Sequence, residues 1–185
     1  MKLLMPSVLA ALSLAACSAE QSGADNAAMS TANEHQSNET AAQAPAPKSP
    51  DQTFVDHTAA GNSYEVAAGK TAVEKATTPA LKKYAQMLID DHTRSTIELK
   101  MASAKAGLMP NPSLSAEQRA NLDTLGSASG KAFDQAFVSQ QLASHPKMLD
   151  EQNDYVAHGK HAELRNFAKG NAPWVLRHLR LGKEL

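Results

Sequence analysis

The chain has 185 residues, of which 42% are hydrophobic and one is a cysteine. This length suits one folded domain with an additional segment. The formal net charge is −1 at pH 7, which argues against a nucleic-acid partner. A single cysteine cannot form an intramolecular disulfide, so the stability of the fold must come from an ordinary apolar core.

Residues 1–16 have the pattern of a bacterial lipoprotein signal peptide. One basic residue, Lys2, precedes an apolar run over residues 3–14 that is too short to span a bilayer. The run ends in Leu14-Ala15-Ala16-Cys17, which resembles the lipoprotein processing box. The resemblance implies cleavage before Cys17 and attachment of three acyl chains to it, an anchor that a membrane holds firmly. An ordinary secretory signal is the alternative.

The residues after the cysteine predict where the protein lies and how far it reaches. An aspartate after the cysteine would resemble the inner-membrane retention signal, whereas Ser18 favours the outer membrane with the domain in the periplasm. Residues 17–50 contain almost no large apolar side chains, which predicts a lipidated, disordered tether. The membrane, contacted through the lipid anchor, is the only partner that the sequence predicts.

The spacing of apolar residues from Asp51 onward predicts an all-α domain over residues 51–185. The predicted long helices cover residues 51–76, 79–106, 131–157 and 160–185. A short helix over 116–125 lies in the connection between the second and third of them. Four long helices joined by short turns within each pair predict a four-helix bundle of the ferritin-like type.

Three prolines and two glycines mark the boundaries and irregularities of these helices. Thr78 followed by Pro79 predicts a capped helix start, and Gly107 predicts a helix end. Pro146 is expected to kink the third long helix, and Gly170 and Pro173 are expected to kink or interrupt the fourth. The apolar stripe predicted for the third long helix consists of Val138, Leu142, His145, Leu149 and Val156.

Three histidines lie on predicted apolar stripes, each on a different long helix: His92, His145 and His178. Counted from the turns, they and Glu65 fall near the middle of the bundle. Imidazole and carboxylate groups that meet in a protein interior suit zinc, copper or iron. The alternative is a metal-free hydrogen-bonded network in which Glu65 accepts bonds from the histidines.

The sequence pattern leaves open whether two acidic side chains, Glu65 and Asp91, point into this cluster. Glu65 shares one face of the first helix with Phe54 and Ala68, but a second stripe that contains Val55 and Val66 competes with that face. Asp91 is adjacent to His92, and neighbours on a helix point about 100° apart. We therefore expect Asp91 at the edge of the cluster.

Several short segments resemble a bacterial ferritin-like family of unknown function whose members are often labelled outer membrane proteins. The segments are Asn62-Ser63-Tyr64-Glu65, Asp90-Asp91-His92, Ala132-Phe133-Asp134, His145 and His178-Leu179. The resemblance implies a ferritin-like four-helix fold in the periplasm and implies no established activity. Pro146, directly after His145, departs from the family, in which a helix former is usual at this position.

A di-iron carboxylate site needs glutamate three residues before histidine on two helices. Here Ile89, Leu142 and Val175 occupy those positions, so the sequence does not predict di-iron chemistry.

The predicted function is a non-enzymatic binding or envelope-maintenance role, with one bound metal ion as a possibility that the histidine cluster raises. The alternative is a metal-dependent redox or metal-handling protein of the ferritin-like class.

Overall fold

The computed structural model describes residues 47–185, which belong to one compact unit. Within this range the chain forms five α-helices and no β-strand. Their bounds are α1 Pro50–Lys75, α2 Pro79–Lys105, α3 Ala116–Ser127, α4 Gly130–His158 and α5 Ala162–Gly182. The predicted signal peptide, Cys17 and the predicted tether up to residue 46 lie outside the described residues.

The predicted helix boundaries follow from local capping chemistry. The Thr78 side chain accepts a hydrogen bond from the Leu81 amide, and Pro79 begins α2. Ser115 and Gln118 form the predicted capping box of α3. Helix α1 begins one residue earlier than predicted, because Ser49 caps it and Pro50 occupies its first turn.

The four long helices pack in a closed ring. The antiparallel pairs α1–α2 and α4–α5 contact each other through α2 against α5 and α1 against α4, while α3 lies against α1 and α4. The α1–α2 contact is close at Gly69, where a Cβ atom would lie 2.8 Å from Ile89 Cγ1. Among residues 47–185, no helix is both long and apolar enough to cross a bilayer.

Two parts of the prediction for the second helical pair were wrong, the interruption of α5 and the buried face of α4, whereas the kinks expected at the prolines stay predictions. Helix α4 continues through Pro146, and α5 continues through Gly170 and Pro173 without interruption. A proline removes only one helical hydrogen bond, so a helix can continue past it. The buried face of α4 also differs from the predicted stripe, of which only His145 is fully buried; the residues buried with it are Phe133, Phe137, Gln141, Gln152 and Tyr155.

The core consists of two apolar clusters separated along the bundle axis by polar side chains. One cluster contains Tyr84, Leu88 and Phe137, and the other contains Phe54, Leu99 and Phe167. Seven buried polar residues lie on the four long helices near the middle of the bundle: Asn62, Glu65, His92, Ser95, Gln141, His145 and His178. Buried polar groups must find hydrogen-bond partners inside the protein. This polar layer is therefore the candidate functional site.

Candidate metal centre

The three predicted histidines meet in the interior of the bundle. His92, His145 and His178 are each at most 2% exposed, and one ring nitrogen from each lies within 4.8 Å of the others. The ring centroids are 5.3 to 6.1 Å apart. In the described part of the chain, these residues form the one group of histidine, cysteine or acidic side chains with that proximity.

The outer nitrogen of His178 is held by a carboxylate. Its Nε2 lies 2.8 Å from Asp91 Oδ2, and the same oxygen accepts a hydrogen bond from Arg177. An ionised carboxylate can only accept, so Nε2 carries the proton of the neutral ring. The lone pair of His178 is therefore on Nδ1, the nitrogen that faces the other histidines.

His145 and His92 are oriented in the same way by other acceptors. His145 Nδ1 lies 3.0 Å from the Gln141 backbone carbonyl, which leaves the lone pair on its Nε2. His92 Nδ1 lies 2.9 Å from Asn62 Oδ1, and the Asn62 amide group donates in turn to Ser95. We assign the remaining lone pair of His92 to Nε2, which is buried and has no hydrogen-bond partner.

Burial favours the neutral form of two of the three rings, His92 and His178. Burial lowers the pKa of His92 well below its ordinary value, and positive charge on His178 or His145 would lower it further. Burial also lowers the pKa of His178, although its bond to Asp91 opposes this shift. His145 Nε2 and His178 Nδ1, both acceptors in the neutral rings, face each other at 3.3 Å. Two lone pairs at this distance repel unless a cation lies between them.

Glu65 points into the protein interior, which is one of the two directions that the sequence pattern allowed. It does not belong to the group of three histidines. Its Oε1 accepts a bond from the Ser144 hydroxyl at 3.2 Å, and its Oε2 has no partner. Burial raises its pKa, while His145, Gln141 and Ser144 oppose this shift. Glu65 and Ser144 also line a groove of about 630 Å³ beside α1, α3 and α4. Direct coordination of a metal by Glu65 stays a prediction.

Sequence reasoning identified the histidines but missed most of the groups that orient them. The edge position of Asp91 was predicted, and its bond to His178 confirms it. The roles of Asn62, Arg177 and the Gln141 carbonyl were not predicted. One available signal was that Asn62 lies three residues before Glu65, on the same face of α1. A backbone carbonyl offers no comparable signal, because every residue has one.

Comparisons with solved structures show the same helical fold. CopM in the Cu(I)-bound form matches with a TM-score of 0.62 and 22% identity, over 74% of this chain and 95% of that chain. A DUF305 fragment from Deinococcus radiodurans matches with a TM-score of 0.65 and 12% identity, over 75% of this chain and 96% of that chain. At these identities the likeness shows the fold alone.

Comparison of the sequence with protein families gives a longer match. No curated protein shows a significant match to the chain. The family described as "Domain of unknown function (DUF4142)" matches residues 36–185, which include the whole helical bundle and all three histidines. The chain therefore belongs to the DUF4142 family.

Proposed function

We propose that this protein handles a transition metal, binding one ion through His92 Nε2, His145 Nε2 and His178 Nδ1. The observation that carries the proposal is the orientation of the three rings. Each ring directs its protonated nitrogen to an acceptor outside the cluster and its lone pair into the cluster. Outer acceptors that fix the tautomer in this way are typical of metal-binding histidines.

The distances within the cluster suit a metal ion. Two nitrogens bound to one metal at about 2.0–2.1 Å, with a near-tetrahedral angle, are about 3.3–3.4 Å apart. His145 Nε2 and His178 Nδ1 are 3.3 Å apart. The unpartnered Nε2 of His92 would gain a partner from the same ion. Neutral imidazoles suit zinc, copper and iron, the three metals that the sequence predicted.

A hydrogen-bonded network without metal accounts less well for these contacts. In such a network the 3.3 Å contact between His145 and His178 would need a proton on one of the two facing nitrogens. That proton would make one of the two buried rings cationic, and burial opposes a charged ring. The network would also leave His92 Nε2 buried and unsatisfied, a loss of about 1–3 kcal/mol.

Binding and transfer of the ion are favoured over catalysis. The three rings are almost completely buried, and none of them has the glutamate three residues earlier that a di-iron site requires. CopM, which shares the fold, has a structure in the Cu(I)-bound form, and this likeness supports metal handling here. A redox role for the bound metal is the second candidate, and an envelope-maintenance role without metal is the third.

We also propose that the protein is an outer-membrane lipoprotein with a ferritin-like bundle in the periplasm. The support is the processing box that ends at Cys17 and the serine that follows it. The closed ring of four long helices supports the ferritin-like assignment. In this position the domain would receive or hold metal ions outside the cytoplasm.

Metal content tests the proposed function directly. The full chain, purified after growth with zinc, copper and iron supplied, should contain about one transition-metal ion per chain by elemental analysis. His145→Ala and His178→Ala should each lose the ion, because two remaining imidazoles hold it weakly. His158→Ala is the matched control, since His158 is an exposed histidine at the end of α4. A wild-type chain that takes up no metal, or a His145→Ala chain that keeps it, would contradict the proposal.

A further inference from the structure

The three histidines are buried, so an ion has to pass between side chains to reach them. Each ring is at most 2% exposed, and a metal site in a folded protein needs an entry path. The helix contacts within the pairs α1–α2 and α4–α5 are more extensive than those between the pairs. The two sides at which the pairs meet, α2 with α5 and α1 with α4, are therefore the candidates for this path.

Stacked side chains cover the cluster on the side where α2 meets α5. The guanidinium groups of Arg94 and Arg177 lie over the Trp174 ring, at 4.6 and 5.2 Å from its centre. Arg177 also bonds to Asp91, the carboxylate that holds His178. Stacking on an aromatic ring fixes the plane of a guanidinium, and its positive charge repels an approaching cation. This side of the bundle is therefore unfavourable for entry.

A groove lies on the opposite side of the bundle, beside α1, α3 and α4, and has a volume of about 630 Å³. Glu65 and Ser144 belong to its wall. Ser144 Oγ lies 3.2 Å from Glu65 Oε1 and 3.4 Å from His145 Nδ1, so one layer of side chains separates the groove from the cluster. A second cavity, of about 540 Å³ near the start of α1, has no residue of the polar layer in its wall.

The charges around the groove favour a cation. Three carboxylates line it, from Asp56, Glu117 and Glu151, together with the two ammonium groups of Lys48 and Lys147. Lys48 pairs with Asp56, and Lys147 lies 3.9 Å from Glu117. One carboxylate thus remains without a lysine or arginine partner among the groups that line the groove. A cleft lined by an excess of one sign of charge raises the local concentration of ions of the opposite sign.

Resting on the proposed function, we infer that this groove is the route by which the metal ion enters and leaves the histidine cluster, and that Gly61 and Met148 set its width. Both residues line the groove, Gly61 from α1 and Met148 from α4. A Cβ atom at Gly61 would lie 3.6 Å from Met148 Cε, so the two residues meet from opposite walls. Glu65 and Ser144 form the inner end, where side-chain rotation admits the ion.

A residue that narrows an entry route changes rates and leaves affinity unaltered. A steric barrier raises the free energy of the passage state alone, so uptake and release slow by the same factor and the dissociation constant is unchanged. Loss of a metal ligand has a different signature, because it weakens binding and acts mainly on the release rate. The two roles are therefore separated by measuring the release rate and the dissociation constant together.

The test compares Gly61→Leu with Gly170→Leu in the full chain. Both add a leucine to a helix, but only Gly61 lines the groove, and a Cβ atom at Gly170 has no neighbour within 4 Å. Protein loaded with zinc(II), or with copper(I) without oxygen, is mixed with excess chromogenic chelator to give the release rate. Equilibrium competition with the same chelator gives the dissociation constant. Gly61→Leu should slow release by about 10-fold or more at an unchanged dissociation constant, and Gly170→Leu should match wild type.

Two further variants test the direction of the route. Met148→Ala widens the groove and should speed release by about 3-fold or more at an unchanged dissociation constant. It decides the matter by itself if Gly61→Leu does not fold, which helical circular dichroism shows. Trp174→Ala removes the covering side chain between α2 and α5 and should leave the release rate as in wild type.

Slower release in Gly61→Leu together with faster release in Met148→Ala would support the inference. Wild-type release rates in both groove variants, a weaker dissociation constant in either of them, or faster release in Trp174→Ala at an unchanged dissociation constant would overturn it. These three outcomes would leave the proposed function intact. Failure of wild type to bind either metal would remove both the inference and the proposed function.

Discussion

The most decisive stability prediction concerns His92 and its neighbour on the same helix, Ser95. Both side chains bond to Asn62, which is completely buried, and only His92 also directs a lone pair into the cluster. His92→Ala leaves Asn62 Oδ1 without its partner, and Ser95→Ala leaves Asn62 Nδ2 without its partner. Without metal, each substitution should destabilise the domain by about 1–3 kcal/mol, the cost of an unpaired buried group.

Added metal should raise the melting temperature of Ser95→Ala but not that of His92→Ala. An ion present at 100 times its dissociation constant stabilises the folded state by about 2.7 kcal/mol, because it binds that state alone. For a domain of this size, about 1 kcal/mol corresponds to roughly 4 °C in melting temperature. Wild type and Ser95→Ala should therefore each melt about 11 °C higher with metal than with chelator. His92→Ala should melt at the same temperature in both conditions.

The assay is thermal unfolding followed by helical circular dichroism, with copper(I) under anaerobic conditions and with zinc(II). A metal-dependent rise in His92→Ala as large as that in wild type would show that the cluster does not hold the ion. Absence of any rise in wild type with either metal would leave the hydrogen-bonded network as the explanation of the site. Ser95→Ala must keep its rise for the loss in His92→Ala to be assigned to coordination.

Four further outcomes can be measured. Because burial raises the pKa of Glu65 above 4.5, the folded carboxyl holds its proton to higher pH than the unfolded one, and the wild type loses stability as pH rises. The free energy of unfolding in urea should therefore rise for Glu65→Gln relative to wild type as the pH increases above about 4.5. A difference between the two proteins that does not change with pH would contradict this. Gly69→Ala should destabilise by about 1–3 kcal/mol, because its Cβ would lie 3.1 Å from the Ala85 carbonyl. Gly170→Ala, with no atom near the added Cβ, should stabilise by about 0.5–1 kcal/mol. Cys17→Ala should release the protein from membranes on mild washing, and unchanged retention would refute lipidation.

The sequence predicted α2 well because its apolar positions recur at alternating intervals of four and three. Leu81, Leu88, His92 and Leu99 of that stripe are all buried. Helix α4 was harder, because its buried face contains Gln141 and Gln152, which a hydrophobicity pattern assigns to solvent. Its aromatic residues Phe133 and Phe137 bury more area than Val138 and therefore decide the orientation.

The histidines could be predicted to meet, but their distances and tautomers could not. His145 is 14 residues before Gly159 and His178 is 19 residues after it, so a turn centred on Gly159 predicts an offset of about 7 Å along the axis. The turn instead extends over Gly159–His161, which shortens that offset and allows the 3.3 Å contact. The direction of each lone pair depends on one acceptor that comes from another helix or from the backbone, and spacing along one helix does not reveal it.

The polar layer between the two apolar clusters has a consequence for how the helices are aligned during folding. A shift of one long helix by one turn would move its polar side chain about 5.4 Å, from the middle of the bundle into an apolar cluster. There His92 would meet the surroundings of Leu88, four residues earlier in α2, which are apolar. Each misplaced group would cost about 1–3 kcal/mol. The layer thus favours one alignment of α2 with its neighbours, whether or not an ion is bound.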